Sequence, residues 1–186
     1  MEADWEIEVG GEAPVIEARW PGFVDLRRTP EQAWQLAEVG ELPALAEALA
    51  KLNAPASPVW TSKCDFRPVI EPNEFDPSEL DARPGSAVQA MGCYIDLLPR
   101  GDRQWVLPVM AAAACKHLCS LLREVPLRCC RVDLVVRRAF ITPERMDLGV
   151  TAYLTSCGPS SVEAAQTLQA ALTALADSFC PHSTLQ

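Results

Sequence analysis

The sequence predicts an α+β two-layer sandwich, with a mixed, mostly antiparallel sheet of about six strands and helices on one face only. One observation is a recurring phrase, an acid inside a strand-like apolar run: Phe23-Val24-Asp25-Leu26, Tyr94-Ile95-Asp96-Leu97 and Arg131-Val132-Asp133-Leu134, with a degenerate copy at Lys63-Cys64-Asp65-Phe66. A second is alternation. Side chains switch faces along a strand, so Val24/Leu26, Cys93/Ile95/Leu97 and Cys130/Val132/Leu134/Val136 share one apolar side while the aspartates point to the other. A third is the order of elements, in which strand-like and helix-like periods interleave so that helices can cover the apolar side of one sheet.

Taken in order, Trp5 to Val9 and Val15 to Trp20 flank Gly10-Gly11 and are expected to pair as a hairpin. Thr29-Pro30-Glu31-Gln32 has the residues of a helix start, with a cap hydroxyl and Pro in the first turn. Gly40 and Pro43 interrupt that helix, and a second piece to Leu52 carries Leu42, Leu45, Leu49 and Leu52 on one stripe. Val59 to Val69 reads as a strand with Trp60, Cys64 and Phe66 inward and Lys63, Asp65 and Arg67 outward. The acidic, proline-rich stretch 70–87 reads as a loop with one helical turn at Pro77-Ser78-Glu79-Leu80. A strand follows from Ala90 to Leu98, then a helix from Leu107 to Glu124 that stops before Pro126. Arg128 to Ile141 and Leu148 to Cys157 form a strand pair around a turn at Pro143-Glu144-Arg145. Gly158-Pro159-Ser160 opens a last helix with Ala165, Leu168, Leu172, Leu175 and Phe179 on its buried face.

At 186 residues and 49% hydrophobic content, the chain is the size of a single domain, 1–186. The aspartate phrases fall into two strand-helix-strand units, which suggests an internal duplication with halves at about 5–69 and 88–180 joined by the loop 70–87. A formal net charge of −9 argues against nucleic acid and anionic membrane surfaces, which need clustered Lys and Arg, and favours a basic partner. The run from Trp105 to Cys115 is broken by Pro108 and too short to span a bilayer. The start, Met1-Glu2-Ala3-Asp4-Trp5-Glu6, lacks the order of a secretory signal, so a cytoplasmic location is expected. Eight cysteines spread through strands and helices read as reduced core thiols. Cys115 and Cys119 share a helix face from which His117 points away, and Cys129 and Cys130 face opposite sides of a strand, so neither pair forms a metal site. Trp34 and Trp60 are expected in the core, with Trp20 and Trp105 closing its edges.

Catalytic motifs are missing: no GxSxG, phosphate-binding glycine loop or HExxH occurs, and the two histidines are His117 and, in the tail, His182. A nucleophilic pair would need a long-range contact, such as Cys157 with His117. Function therefore falls to the polar sheet face. Alternation assigns it Glu6, Glu8, Glu17, Arg19, Asp25, Lys63, Asp65, Arg67, Tyr94, Asp96, Arg131, Asp133, Arg137, Thr151, Tyr153 and Thr155, beside the acidic loop from Glu71 to Asp81. Charged groups and tyrosines on a rigid sheet supply both contact area and hydrogen bonds. The expected partner-binding residues are Glu71, Glu74, Asp76, Glu79, Tyr94, Asp96, Arg131, Asp133 and Tyr153, with no catalytic residue, metal or cofactor. The alternative gathers Asp25, Asp65, Asp96 and Asp133 around a divalent ion, or around a small ligand, which would make the chain a metal-dependent enzyme or a receptor.

The segments Glu31-Gln32-Ala33-Trp34-Gln35-Leu36-Ala37, Leu45-Ala46-Glu47-Ala48-Leu49 and Pro58-Val59-Trp60 resemble the front third of α+β immunity proteins of bacterial polymorphic-toxin and type VI secretion systems. The cysteine-rich second half has no counterpart in that resemblance. It implies a non-enzymatic acidic protein that binds and neutralises a cognate toxin, often a nuclease, inside the producing cell.

Overall fold

The computed structural model describes residues 1–40, 42–71, 73–83, 85, 89–101, 105, 107–142 and 145–180. Its strands are β1 (Glu2–Glu8), β2 (Ile16–Glu17), β3 (Val59–Ile70), β4 (Gln89–Pro99), β5 (Cys130–Thr142) and β6 (Arg145–Gly158), and its α-helices are α1 (Pro43–Asn53), α2 (Pro108–Arg123) and α3 (Ser161–Phe179). They form one six-stranded sheet in the order β1-β5-β6-β4-β3, with β2 also paired to β5. β5, β6, β4 and β3 are antiparallel to their neighbours, whereas β1 and β2 run parallel to β5. The α+β class, the mixed sheet and the helical cover are as the sequence predicts.

The helices lie over one face, α2 against β1 and β5, α3 against β6 and β4, and α1 against β3. Their apolar stripes meet Cys93, Ile95 and Leu97 of β4, Val132, Leu134 and Val136 of β5, and Val150, Ala152 and Leu154 of β6 in the main core. Each fully buried leucine there contributes about 1.5–3 kcal/mol. α3 is capped by Ser160, whose hydroxyl accepts from the Glu163 amide, and buries Ala164 rather than the expected Ala165. α2 stops at Arg123, ahead of Pro126.

Several expectations are corrected. The hairpin between Trp5–Val9 and Val15–Trp20 does not form. β1 pairs with 131–137 and β2 with Ala139 and Phe140, so the two are pieces of one interrupted edge strand. Between them the chain loops out, held by the Arg138 guanidinium donating to the carbonyls of Gly10 (2.8 Å) and Gly11 (3.1 Å). Phe23–Leu26 is not a strand but a turn, in which Asp25 accepts from the Arg27 side chain at 2.7 Å. The first proposed repeat unit thus lacks its first strand. Moreover β4 and β5 run in the same direction, while β1 and β3 run in opposite directions, so the two halves do not share a topology.

The region after Thr29 forms two 3-10 helices, Pro30–Gln35 and Ala37–Val39, separated by extended Leu36, and the Thr29 hydroxyl makes no cap bond. Only α1 is α-helical there. Trp34 is consequently 53% exposed rather than core, while Trp105 is buried at 6% rather than at an edge. Trp60 is buried, but on the opposite side from Cys64 and Phe66. The cause is a bulge: Thr61 opposes Leu97 and Cys64 opposes Ile95, so β3 carries one extra residue and its alternation flips. The turn expected at Pro143 and Glu144, the tail with His182, residues 72, 84, 86 and 87 of the loop, and residue 88 lie outside the described residues.

The open face of the sheet is covered at both ends. At one end Ile16, Ala18 and Phe23 cross over Trp60, Leu98 and Ala139, forming a strap. The Ser62 hydroxyl donates to the carbonyls of Glu17 (2.9 Å) and Ala18 (3.3 Å), tying the strap to β3. The Arg27 guanidinium stacks 4.0 Å over the Trp60 ring. Gly149 makes this approach possible, since a Cβ there would lie 2.8 Å from Ile16 Cδ1 and 2.9 Å from Leu98 Cδ2. At the other end, the loop after β3 packs Ile70, Phe75, Leu80 and Ala82 onto Ala90, Cys157 and Cys129. Its 3-10 turn, Pro77–Leu80, matches the expected helical turn and is capped by Asp76.

Candidate functional site: a trough on the open sheet face

Between strap and loop lies a trough of about 670 Å³. Its floor is set by register. Asp4 opposes Asp133, Asp133 opposes Tyr153, Tyr153 opposes Tyr94, and Tyr94 opposes Asp65, so one row across β1, β5, β6, β4 and β3 reads acid, acid, Tyr, Tyr, acid. The two rings are tilted against each other with centroids 6.0 Å apart. Gly92, one row along, leaves room for Ile70, because a Cβ there would meet Ile70 Cδ1 at 3.1 Å and the Leu154 carbonyl oxygen at 2.9 Å.

A polar chain crosses the sheet beside this row. Glu8 accepts from Arg137 (2.8 Å), whose guanidinium also donates to the Tyr153 hydroxyl (2.8 Å) and Thr151 Oγ1 (3.4 Å). The Thr151 hydroxyl in turn donates to Asp96 at 2.6 Å. These bonds orient Tyr153 and satisfy a carboxylate that is otherwise buried at 6% exposure. Burial nevertheless holds the Asp96 pKa above the ordinary carboxylate value, against the Thr151 bond. Burial likewise raises Asp133, opposed by its bond from Arg131 at 2.8 Å, and raises the Tyr94 phenol, helped by the charges of Asp96 and Asp65.

Six carboxylates line the trough (Glu6, Asp65, Glu74, Asp76, Glu79 and Asp133) against three arginines, Arg67, Arg131 and Arg137. Each arginine is already engaged. Arg67 binds Glu74 at 2.5 Å, Arg131 binds Asp133 and approaches Glu79 at 3.8 Å, and Arg137 binds Glu8. The Arg67 bond holds Glu74 below its ordinary pKa. Glu6 and Asp65 have no cationic partner among the described residues.

Of the residues expected to bind a partner, Glu74, Asp76, Glu79, Tyr94, Arg131, Asp133 and Tyr153 line the trough together. Asp96 lies one row along from the floor, bound by Thr151, and Glu71 lies outside the trough, donating its backbone amide to the Glu74 carboxylate. The sequence reading placed Glu6, Asp65, Arg67, Arg137 and Thr155 on the polar face without choosing them. Their signal was the alternation itself. Phe75 and Leu80 were missed altogether, although two apolar residues within an acidic loop point to a loop that packs on something.

The aspartates do not converge. Asp65 and Asp133 are three strand spacings apart, roughly 14 Å with the tyrosines between them, Asp96 is one row away and Asp25 sits in the turn bound to Arg27. Among the described residues, no three His, Cys, Asp or Glu side chains are grouped to hold a metal ion. Cys157 lies under the loop on the open face while His117 is exposed on α2 across the sheet, so the pairing considered for them does not occur. Burial pushes the thiols of Cys64, Cys115 and Cys130 up to about 12, and Cys93 higher still, which leaves them unreactive. No helix among the described residues is long and apolar enough to cross a membrane. No family model matches the chain, and neither a curated protein nor a solved structure does.

Proposed function

We propose that this chain is a non-enzymatic binding module that holds a basic segment of a protein partner in the trough, acting in the cytoplasm as an immunity-type inhibitor of a cognate toxin. The observation that carries the reading is the row Asp133-Tyr153-Tyr94-Asp65. Aromatic faces flanked by carboxylates attract cationic side chains. The surplus of acid around them speeds encounter with a basic surface. An extended strand repeats on one face about every 7 Å, so Lys or Arg at positions i and i+4 would reach Asp133 and Asp65, with i+2 over the tyrosines. The resemblance of the first third to immunity proteins supports the toxin as partner class. A divalent-metal enzyme fits less well, because only Asp65 and Asp133 of the four aspartates line the trough.

The test uses synthetic extended peptides with two lysines spaced i, i+4 or i, i+1, titrated by calorimetry, and the protein encoded beside this gene as macromolecular partner. The reading expects preference for the i, i+4 peptide, and partner binding weakened at least tenfold by Asp65→Lys with Asp133→Lys. Equal binding of both peptides, or partner affinity untouched by the reversals, would sink it.

A further inference from the structure

Two thiols under the loop that walls the trough are set apart from the other six. Extending the β5/β6 register by one step from the Cys130–Ser156 pair places Cys129 directly opposite Cys157, and the Cys157 amide donates to the Cys129 carbonyl at 2.9 Å. Hydrogen-bonded antiparallel partners have Cα atoms about 5.5 Å apart, inside the span that a disulfide bridges. The two side chains occupy the same small apolar cluster. Cys129 also has φ of 60°, a left-handed conformation that a side chain with a Cβ adopts at a cost. It is half-buried, whereas Cys157 is 1% exposed.

By contrast, Cys115 and Cys119 lie one turn apart on α2 with both thiols buried in the main core. Cys64, itself half-buried, and Cys93 face that same core from neighbouring strands, but the register sets Cys64 opposite Ile95 and Cys93 opposite Phe66 rather than opposite each other. Only the 129–157 pair sets a half-buried cysteine directly across the ladder from a second cysteine.

We propose that Cys129 and Cys157 form a dithiol site that is oxidised to an intramolecular disulfide by a low-molecular-weight disulfide. The Cys129 thiolate attacks one sulfur of the reagent, forming a mixed disulfide and expelling one thiolate, which takes up a proton. Cys157 then gives its proton to solvent and attacks the Cys129 sulfur, and the second thiolate leaves. Two protein thiols are oxidised and one reagent disulfide is reduced to two thiols. The order follows from access, since burial also pushes the Cys157 thiol up to about 11 and makes it a poor first attacker. The new bond lies beneath Leu80 and Phe75 and next to Arg128, which clamps Asp81 at the end of the 3-10 turn (2.8 Å). Oxidation therefore cross-links the base of the trough wall.

The full chain, fully reduced, is to be incubated with oxidised glutathione without denaturant, acid-quenched, alkylated and mapped by peptide mass spectrometry. Because Cys129 and Cys130 share one tryptic fragment, Cys129→Ser and Cys130→Ser are run in parallel. The expected result is one intramolecular disulfide involving Cys157, retained in Cys130→Ser, lost in Cys129→Ser and reversed by a dithiol reductant. In Cys157→Ser the expected product is a stable glutathione adduct on Cys129. A persistent adduct on Cys129 in the unaltered chain, a disulfide that survives in Cys129→Ser, or eight thiols that all remain free would overturn the proposal.

Discussion

The two faces of this sheet are built from alternate residues of the same strands and do different work. On the helical face, Leu134, Ile95 and Leu154 are wholly enclosed beneath the helices, and the contacts are apolar apart from buried bonds such as Asn53 with Thr61 and Ser156 with the Ala164 carbonyl. On the open face, residues one step away carry carboxylates, tyrosines and arginines, with apolar cover only at the two ends. The comparison teaches that stability and recognition are separated by the pleat. The helical face can be disturbed only at the expense of the fold, while the middle of the open face can be recharged at little cost.

The largest expected effect tests the helical side. Leu134→Ala should cost about 2–5 kcal/mol of stability by leaving a cavity under the helices, measured by urea denaturation. Its neighbour on the other face offers the control: Asp133→Asn should change stability far less. If the two cost the same, the faces are not separated in the way described.

Next comes the strap. Gly149→Ala would press on Ile16 and Leu98 and on the Leu97 carbonyl oxygen, 3.0 Å from the added carbon. The expected loss is about 1–3 kcal/mol, accompanied by faster hydrogen exchange at the Ala18 amide, which donates to the Phe140 carbonyl. Unchanged exchange there would mean that the strap does not depend on the close approach over Gly149.

A smaller effect, of opposite sign, is expected at Asp96. Its folded pKa is raised above the ordinary 3.8, so ionising it destabilises the fold. That penalty is in full force above the folded pKa and is relieved as pH falls through it toward the unfolded value. Asp96→Asn keeps a carbonyl oxygen for the Thr151 hydroxyl, so it should raise the melting temperature at neutral pH, and the advantage should fade as the solution is acidified. Asp25, held low by Arg27, acts in the other direction: the stability it contributes is present above its unfolded pKa and is lost as pH falls through its folded pKa. A neutral-pH melt in which Asp96→Asn is less stable than the parent would show that the carboxylate is needed as a charge beside Arg137.

The smallest change in stability belongs to the end of the trough's acid–tyrosine row. Asp65→Lys should move it by no more than about 0.5 kcal/mol, since Asp65 has no cationic partner to lose. If it instead unfolds the chain, the open face is structural and the separation of roles fails.

Local pattern was enough for much of this architecture. Alternation in Cys93 to Leu97 and Cys130 to Val136 set those residues against the helices and put Tyr94, Asp96, Arg131 and Asp133 on the other face, because a strand has no other way to place consecutive side chains. Pro and Gly marked the limits of α1 and α2 through lost donors and restricted φ. Tertiary structure decided the rest, through contacts distant in sequence. The parallel docking of β1 on β5, the Arg138 clamp on the Gly10-Gly11 loop and the bulge that turned Trp60 to the far side all depend on partners more than thirty residues away. The same holds for the site: of the seven expected residues that line the trough, Tyr94, Arg131, Asp133 and Tyr153 were gathered by register and Glu74, Asp76 and Glu79 by the folded loop, and only pairing across β3, β4, β6 and β5 could align Asp65 with the tyrosines and Asp133. A strand's own sequence determines which face a residue takes, but its position along the neighbouring strand is set by the whole sheet closing under its helices.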